Sequence, residues 1–132
     1  MQKVVKGWWT IDTISFKNDD VFFCMMSNSL FFENGSCKMP VSYDACPDLN
    51  SYNEKGTWNI SRSDSLVYFI TFTTTNELFN GTHKLRFLKD EKNSLLKVEI
   101  SSNKLYLMCR KALFNYQSNI KTIDNLVDIT NP

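Results

Sequence analysis

The stretch Leu95-Leu96-Lys97-Val98-Glu99-Ile100-Ser101-Ser102-Asn103-Lys104-Leu105-Tyr106-Leu107-Met108-Cys109-Arg110-Lys111-Ala112 decides the fold. Leu96, Val98 and Ile100 alternate with Lys97, Glu99 and Ser101. Beyond the turn residues Ser102 and Asn103, Leu105, Leu107 and Cys109 point one way and Tyr106, Met108 and Arg110 the other. Successive side chains of a strand leave opposite faces, so a period of two predicts two strands, each with one buried face. Just upstream, Leu85 and Phe87 alternate with Lys84, Arg86 and Leu88, and the charged run 89–93 reads as a turn.

The same grammar extends to the N-terminus. Eight strand-like segments emerge, at about residues 4–16, 21–33, 36–43, 56–61, 66–74, 82–88, 95–101 and 104–112. Asn18-Asp19-Asp20, Asn34-Gly35, residues 62–65 and Asn80-Gly81 punctuate them, and 44–55 is a polar loop. Asn and Asp tolerate left-handed backbone, and Asn-Gly is a strong hairpin signal. Alanine, the best helix former, stands only at Ala45 and Ala112. Short strands with tight turns predict an all-β antiparallel meander. Closure into an eight-stranded up-and-down barrel removes both exposed edges, and a two-sheet sandwich is the rival arrangement. Residues 1–112 form the expected barrel domain; 113–132 form a tail in which Ile120, Ile123 and Val127 have helical spacing.

Length and charge narrow the function classes. A chain of 132 residues is one domain. Its net charge of +1 gives no general attraction to nucleic acid or anionic lipid. No run reaches the ~20 apolar residues of a spanning helix. The four cysteines, Cys24, Cys37, Cys46 and Cys109, allow three full pairings. Cys37 and Cys46 bracket a short loop and are a plausible local disulfide; free buried thiols are the alternative. The start, Met1-Gln2-Lys3-Val4-Val5-Lys6, lacks the apolar core of a signal peptide. The expected location is exported, periplasmic or outer-surface, with the leader already removed. A monomer or weak dimer is expected.

Catalytic constellations are missing from the sequence. His83 stands by itself, with no nucleophile motif around it, and reads as structural. Asp19-Asp20 reads as a solvated turn, since calcium needs six or more oxygens. No cofactor or metal is expected, and the protein is expected not to be an enzyme. The aromatics are richer. Phe32, Tyr68, Ile70, Phe72, Phe87, Val98 and Leu107 are the expected lumen residues, lining a cavity for a small hydrophobic molecule or filling the barrel. Burial of apolar ligand area would supply the affinity, at about 25 cal/mol per Å² before binding costs. In the filled case the working surface is the loop 44–55 or an outer patch such as Phe23, Phe31 and Phe69.

Gly7-Trp8-Trp9 carries a resemblance. The chain resembles lipocalin-like (calycin) proteins, especially the short bacterial lipocalin-like domains of envelope proteins, whose first strand begins with Gly-x-Trp. Gly7 and Trp9 match it, a second Gly-x-Trp is Gly56-Thr57-Trp58, and Leu30-Phe31-Phe32-Glu33-Asn34-Gly35 resembles the strand-turn segment of those domains. The resemblance implies a barrel with an open and a closed end, and often a small apolar ligand. It assigns structural roles to Gly7, Trp9, Trp58 and Arg110, the last as the arginine that packs over the first-strand tryptophan. A solvated charge beside Lys111 is the other reading of Arg110. The expected function is non-enzymatic binding in the lumen, or a structural or protein-interaction domain of the cell envelope with a filled core.

Overall fold

The computed structural model describes residues 2–43, 46, 49–90 and 95–112. A helical turn, α1 (Gln2–Val5), leads into β1 (Gly7–Phe16), β2 (Asp19–Asp20), β3 (Ser29–Phe32), β4 (Ser36–Lys38) and β5 (Lys55–Arg62). Then come β6 (Tyr68–Thr73), β7 (Gly81–Asp90), β8 (Leu95–Ser101) and β9 (Leu105–Ala112). Neighbours pair antiparallel in the order β2-β1-β3-β4-β5-β6-β7-β8-β9, and β1 also pairs with β9. The last pairing closes an eight-stranded up-and-down barrel, with the two-residue β2 as a flap on β1.

Closure depends on β1 serving two neighbours. Its first residues pair with β3, Gly7 opposite Phe32 through Thr10 opposite Ser29. Its later residues pair with β9, from Thr10 opposite Arg110 to Phe16 opposite Leu105. The register shifts between Ile11 and Thr13. A bulge there bends the strand and lets it pass from one neighbour to the other. It also resets the alternation, so Trp9 and Ile11 before it and Ile14 and Phe16 after it are all buried.

Turn chemistry follows the sequence, with shifts. Lys17 and Asn18 both take positive φ, 51° and 70°, between paired Phe16 and Asp19. Two left-handed residues in a two-residue loop match the right-handed strand twist. Gly35 has φ 72°, and Glu33 N–H donates to Ser36 O at 2.8 Å to close the Asn34-Gly35 hairpin.

Three expected segments differ. Residues 2–5 form a helical turn instead of opening the first strand, which starts at Gly7 with φ 109°. The expected strand 21–33 is reduced to β3. Asp20 Oδ1 accepts the Phe22 N–H at 2.9 Å and turns the chain into a 3-10 turn, Phe22–Cys24. Met25 then bridges to Ser42, away from β1. The expected strand 36–43 keeps only β4, since Pro40 has no N–H to donate. The disulfide joins Cys24 to Cys46, not Cys37 to Cys46; Cys37 and Cys109 are free and buried. Cys37 lies on β4 with its side chain in the barrel, so it faces away from the loop that holds Cys46. The tail 113–132 and its possible helix lie outside the described residues.

The disulfide spans 22 residues of sequence and clamps irregular backbone. Cys46→Ser is expected to lower unfolding stability by about 3 kcal/mol, from the released loop entropy. Guanidinium denaturation checks this; an unchanged midpoint would show that the clamp adds nothing.

Candidate functional site

Both Gly-x-Trp motifs do the same mechanical job at the end of the barrel where β1 begins. Trp9 is buried, and its Nε1–H donates to Val5 O at 2.7 Å, pinning α1 across that end. Lys111 lies over the Trp9 ring, Nζ 5.5 Å from its centroid, and donates to the carbonyls of Val4 and Lys6. A Cβ on Gly7 would stand 3.2 Å from that Nζ, which explains the glycine together with its positive φ. Burial pulls the Lys111 ammonium below its ordinary value. Trp58 is the second anchor: its Nε1–H is shared between Glu33 O (2.8 Å) and Ser36 O (2.9 Å), holding the β3–β4 hairpin. Gly56 has no room for a side chain, since a Cβ would meet Met39 Cε and Thr74 Cβ at 2.9 Å.

The cation over Trp9 is therefore Lys111, not Arg110. Inward positions on β9 are Leu105, Leu107 and Cys109, so Lys111 continues the inward row and Arg110 belongs to the outward one. Arg110 instead pairs with Asp12 across the outer face, at 3.0 Å.

The seven expected lumen residues are all buried and inward. Ile70 and Leu107 have 0% exposure. A side chain bordering a water-sized void keeps some accessible area, so the barrel beside these two is filled at interior density. Phe72 packs on Phe32 (6.0 Å between centroids), Phe79 (5.8 Å) and His83 (5.9 Å), and Phe32 meets Trp58 edge-on at 4.9 Å. Val98 is buried opposite Phe87. Tyr68 and Phe87 differ, because with Leu66, Leu85 and Arg86 they border a half-open pocket of about 180 Å³. It forms where β6 stops at Tyr68 while β7 runs on to Asp90. Leu66 reaches it in a left-handed conformation, φ 66°, and Arg62 lies over the Tyr68 ring at 5.6 Å.

His83 is a latch at the opposite end. Its Nε2 is 2.7 Å from Phe79 O, and its Nδ1 is 2.8 Å from Ser102 Oγ. A carbonyl only accepts, so Nε2 carries the proton and Nδ1 accepts from the Ser102 hydroxyl. Ser102 Oγ in turn accepts from Leu105 N–H at 3.2 Å. One buried ring thus ties the β6–β7 connection to the β8–β9 turn. The free thiols are held protonated by burial, Cys37 pushed up to about 11 and Cys109 further, which makes both poor nucleophiles. Among the described residues, no cluster of three His, Cys, Asp or Glu side chains is placed to hold a metal.

Phe23, Phe31 and Phe69 do not form one outer patch; they fall in separate places among the described residues. Phe23 is 88% exposed on the 3-10 turn. Exposed Met26 and Tyr43 lie on the two segments that pair beside it, through Met26 N–H to Val41 O and Tyr43 N–H to Cys24 O, both 2.8 Å. Phe31 instead stacks on Trp8 on the outer face of β1 and β3, and Phe69 lies on β6 opposite Lys84. Trp8 was readable as exposed only once β1 parity was fixed by Trp9.

No protein family, curated protein or solved structure matches this chain.

Burial, the largest influence, pulls His83 below its ordinary 6.5; the Phe79 hydrogen bond opposes this and Lys104 adds to it. The unfolded chain therefore takes up this proton at a higher pH than the folded one. Stability is full above about pH 6.5 and falls as pH drops through the window down to the folded value. His83 is the one histidine in the chain, so His83→Gln is expected to flatten that slope. Denaturation midpoints at pH 7.5, 6.5 and 5.5 check it; an equal slope in the variant would contradict the latch.

Proposed function

We propose that this chain is a non-enzymatic protein-interaction domain of the cell envelope, built on a calycin-type barrel with a filled core and working through its surface. The observation that carries the reading is that three exposed apolar side chains, Phe23, Met26 and Tyr43, lie on the paired backbone segments next to the Cys24–Cys46 disulfide. Exposed apolar side chains on a clamped loop lose little entropy on binding, which is how a compact patch becomes an anchor. A disulfide also supports an oxidising compartment, in keeping with export. The filled centre beside Ile70 and Leu107 supports a surface role over a lumen role.

The second reading is binding of a small hydrophobic molecule, favoured by the pocket at Tyr68 and Phe87. Its volume of about 180 Å³ is below the roughly 300 Å³ at which ligand sites usually begin, so only a small molecule or one end of a larger one fits.

A photo-crosslinking residue at position 23, and a control at outward Asn59 on β5, separate these readings in cells of the source organism. Discrete protein adducts at 23, absent at 59 and lost with Met26→Ser, are expected. No adducts, or equal adducts at both positions, would count against the interaction domain. Native mass spectrometry before and after organic extraction tests the other reading, which requires an extractable apolar adduct.

A further inference from the structure

We propose that the outer face of β1, β3, β4 and β5 carries a binding site for an acidic saccharide: a sugar ring bearing carboxylate, sulfate or phosphate. The strand register places four outward side chains in one row. Trp8 is opposite Phe31, Phe31 opposite Lys38, and Lys38 opposite Lys55. The first two form an aromatic platform, with ring centroids 4.3 Å apart and planes tilted by 33°. Trp8 is 62% exposed, which leaves a large part of its indole open to solvent. The second two are exposed ammonium groups on directly paired positions.

Like charges opposite each other across an antiparallel pair repel, so this placement costs stability unless an anion joins them. Among the described residues, no ion pair reaches Lys38 or Lys55. Phe31 and the two lysines border a surface pocket of about 210 Å³, together with Glu33, Ser36 and Gly56. Glu33 and Ser36 border it with a carboxylate and a hydroxyl, whose own contact is a long 3.4 Å.

These parts match one ligand chemistry. An aromatic face receives the apolar C–H side of a sugar ring, as it does other flat, amphipathic groups. Two ammonium groups receive its acidic substituent through charge-assisted hydrogen bonds. Glu33 and Ser36 offer an acceptor and a donor for ring hydroxyls. An anionic membrane surface suits the site less well, because it has no use for a concave pocket and is repelled by Glu33. The attraction is local, from two apposed lysines, and does not depend on the near-zero net charge. The site is independent of the Phe23 surface, so either can fail without the other.

The intrinsic fluorescence makes the test direct. Trp9 and Trp58 are buried, so iodide quenching reports mainly on Trp8. Oligogalacturonate and a heparin-derived hexasaccharide are the acidic probes, maltohexaose the neutral one, and phosphatidylglycerol vesicles the lipid one. At least one acidic probe is expected to bind saturably in calorimetry and to shield Trp8 from iodide, weakening with added salt, while maltohexaose does not. Lys38→Gln with Lys55→Gln is expected to weaken binding by at least about tenfold, from the loss of two charged hydrogen bonds. Trp8→Ala is expected to weaken it while leaving the denaturation midpoint nearly unchanged. Failure of both acidic probes, binding unaffected by the double lysine variant, or binding to vesicles only would overturn the proposal.

Discussion

Every other feature of this molecule depends on β1 pairing with two neighbours. One strand of ten residues gives its first part to β3 and its last part to β9, with a bulge between. Without the second pairing the chain would be an open sheet with two long edges, exposed to edge-to-edge association. With it, eight strands close at a diameter whose interior is just wide enough for side chains. The sequence supplies inward residues large enough to fill that space: Trp9, Phe32, Trp58, Phe72 and Phe79 stand among Leu, Ile and Val. The filled centre follows from the strand number and the size of the inward residues together.

The two ends are closed by different chemistry. At the end where β1 begins, two indole N–H groups and the half-buried Lys111 satisfy carbonyls that strand pairing leaves over, in and just after α1 and in the β3–β4 hairpin. Removing the Trp9 donor would leave the buried Val5 carbonyl unpaired, which costs more than a typical hydrogen bond contributes. At the opposite end the closure is made by side chains from connections: Leu78 and Phe79 from the β6–β7 turn, with His83 tying that turn to the next. Asn76 adds a polar brace, its buried amide donating to Pro40 O and Asn53 O. The half-open pocket beside Tyr68 lies at the end where β1 begins.

The fold was legible where burial is one-sided and partners are close in sequence. β8 and β9 alternate cleanly, and β8 occupies the expected residues 95–101. Inward orientation of Phe32, Tyr68, Ile70, Phe72, Phe87, Val98 and Leu107 was likewise readable from parity. Whether they border a cavity was not, because that depends on how residues from all eight strands interdigitate. Long-range constraints were illegible for the same reason. Residues 21–26 are apolar and look like a strand, yet a side-chain acceptor at Asp20 and a disulfide to Cys46 pull them into a turn and leave Phe23 in water. The role given to Arg110 passed to Lys111 because inward parity runs through Cys109 to 111. The row from Trp8 to Lys55 is scattered over 48 positions of sequence and exists only once three registers are known.

The central claim is that the middle of the barrel is packed solid beside Ile70 and Leu107. Leu107 has no exposure and sits on β9 between the β1 and β8 ladders, which makes it the most direct probe. Truncating a side chain in a filled core removes its transfer energy and leaves a cavity, whereas truncating one that borders an open lumen does little of either. Guanidinium denaturation of Leu107→Ala is predicted to show a loss of about 3 kcal/mol or more. A loss of about 1 kcal/mol or less, with an unchanged denaturant slope, would contradict the filled barrel and return the lumen to the leading place for a ligand.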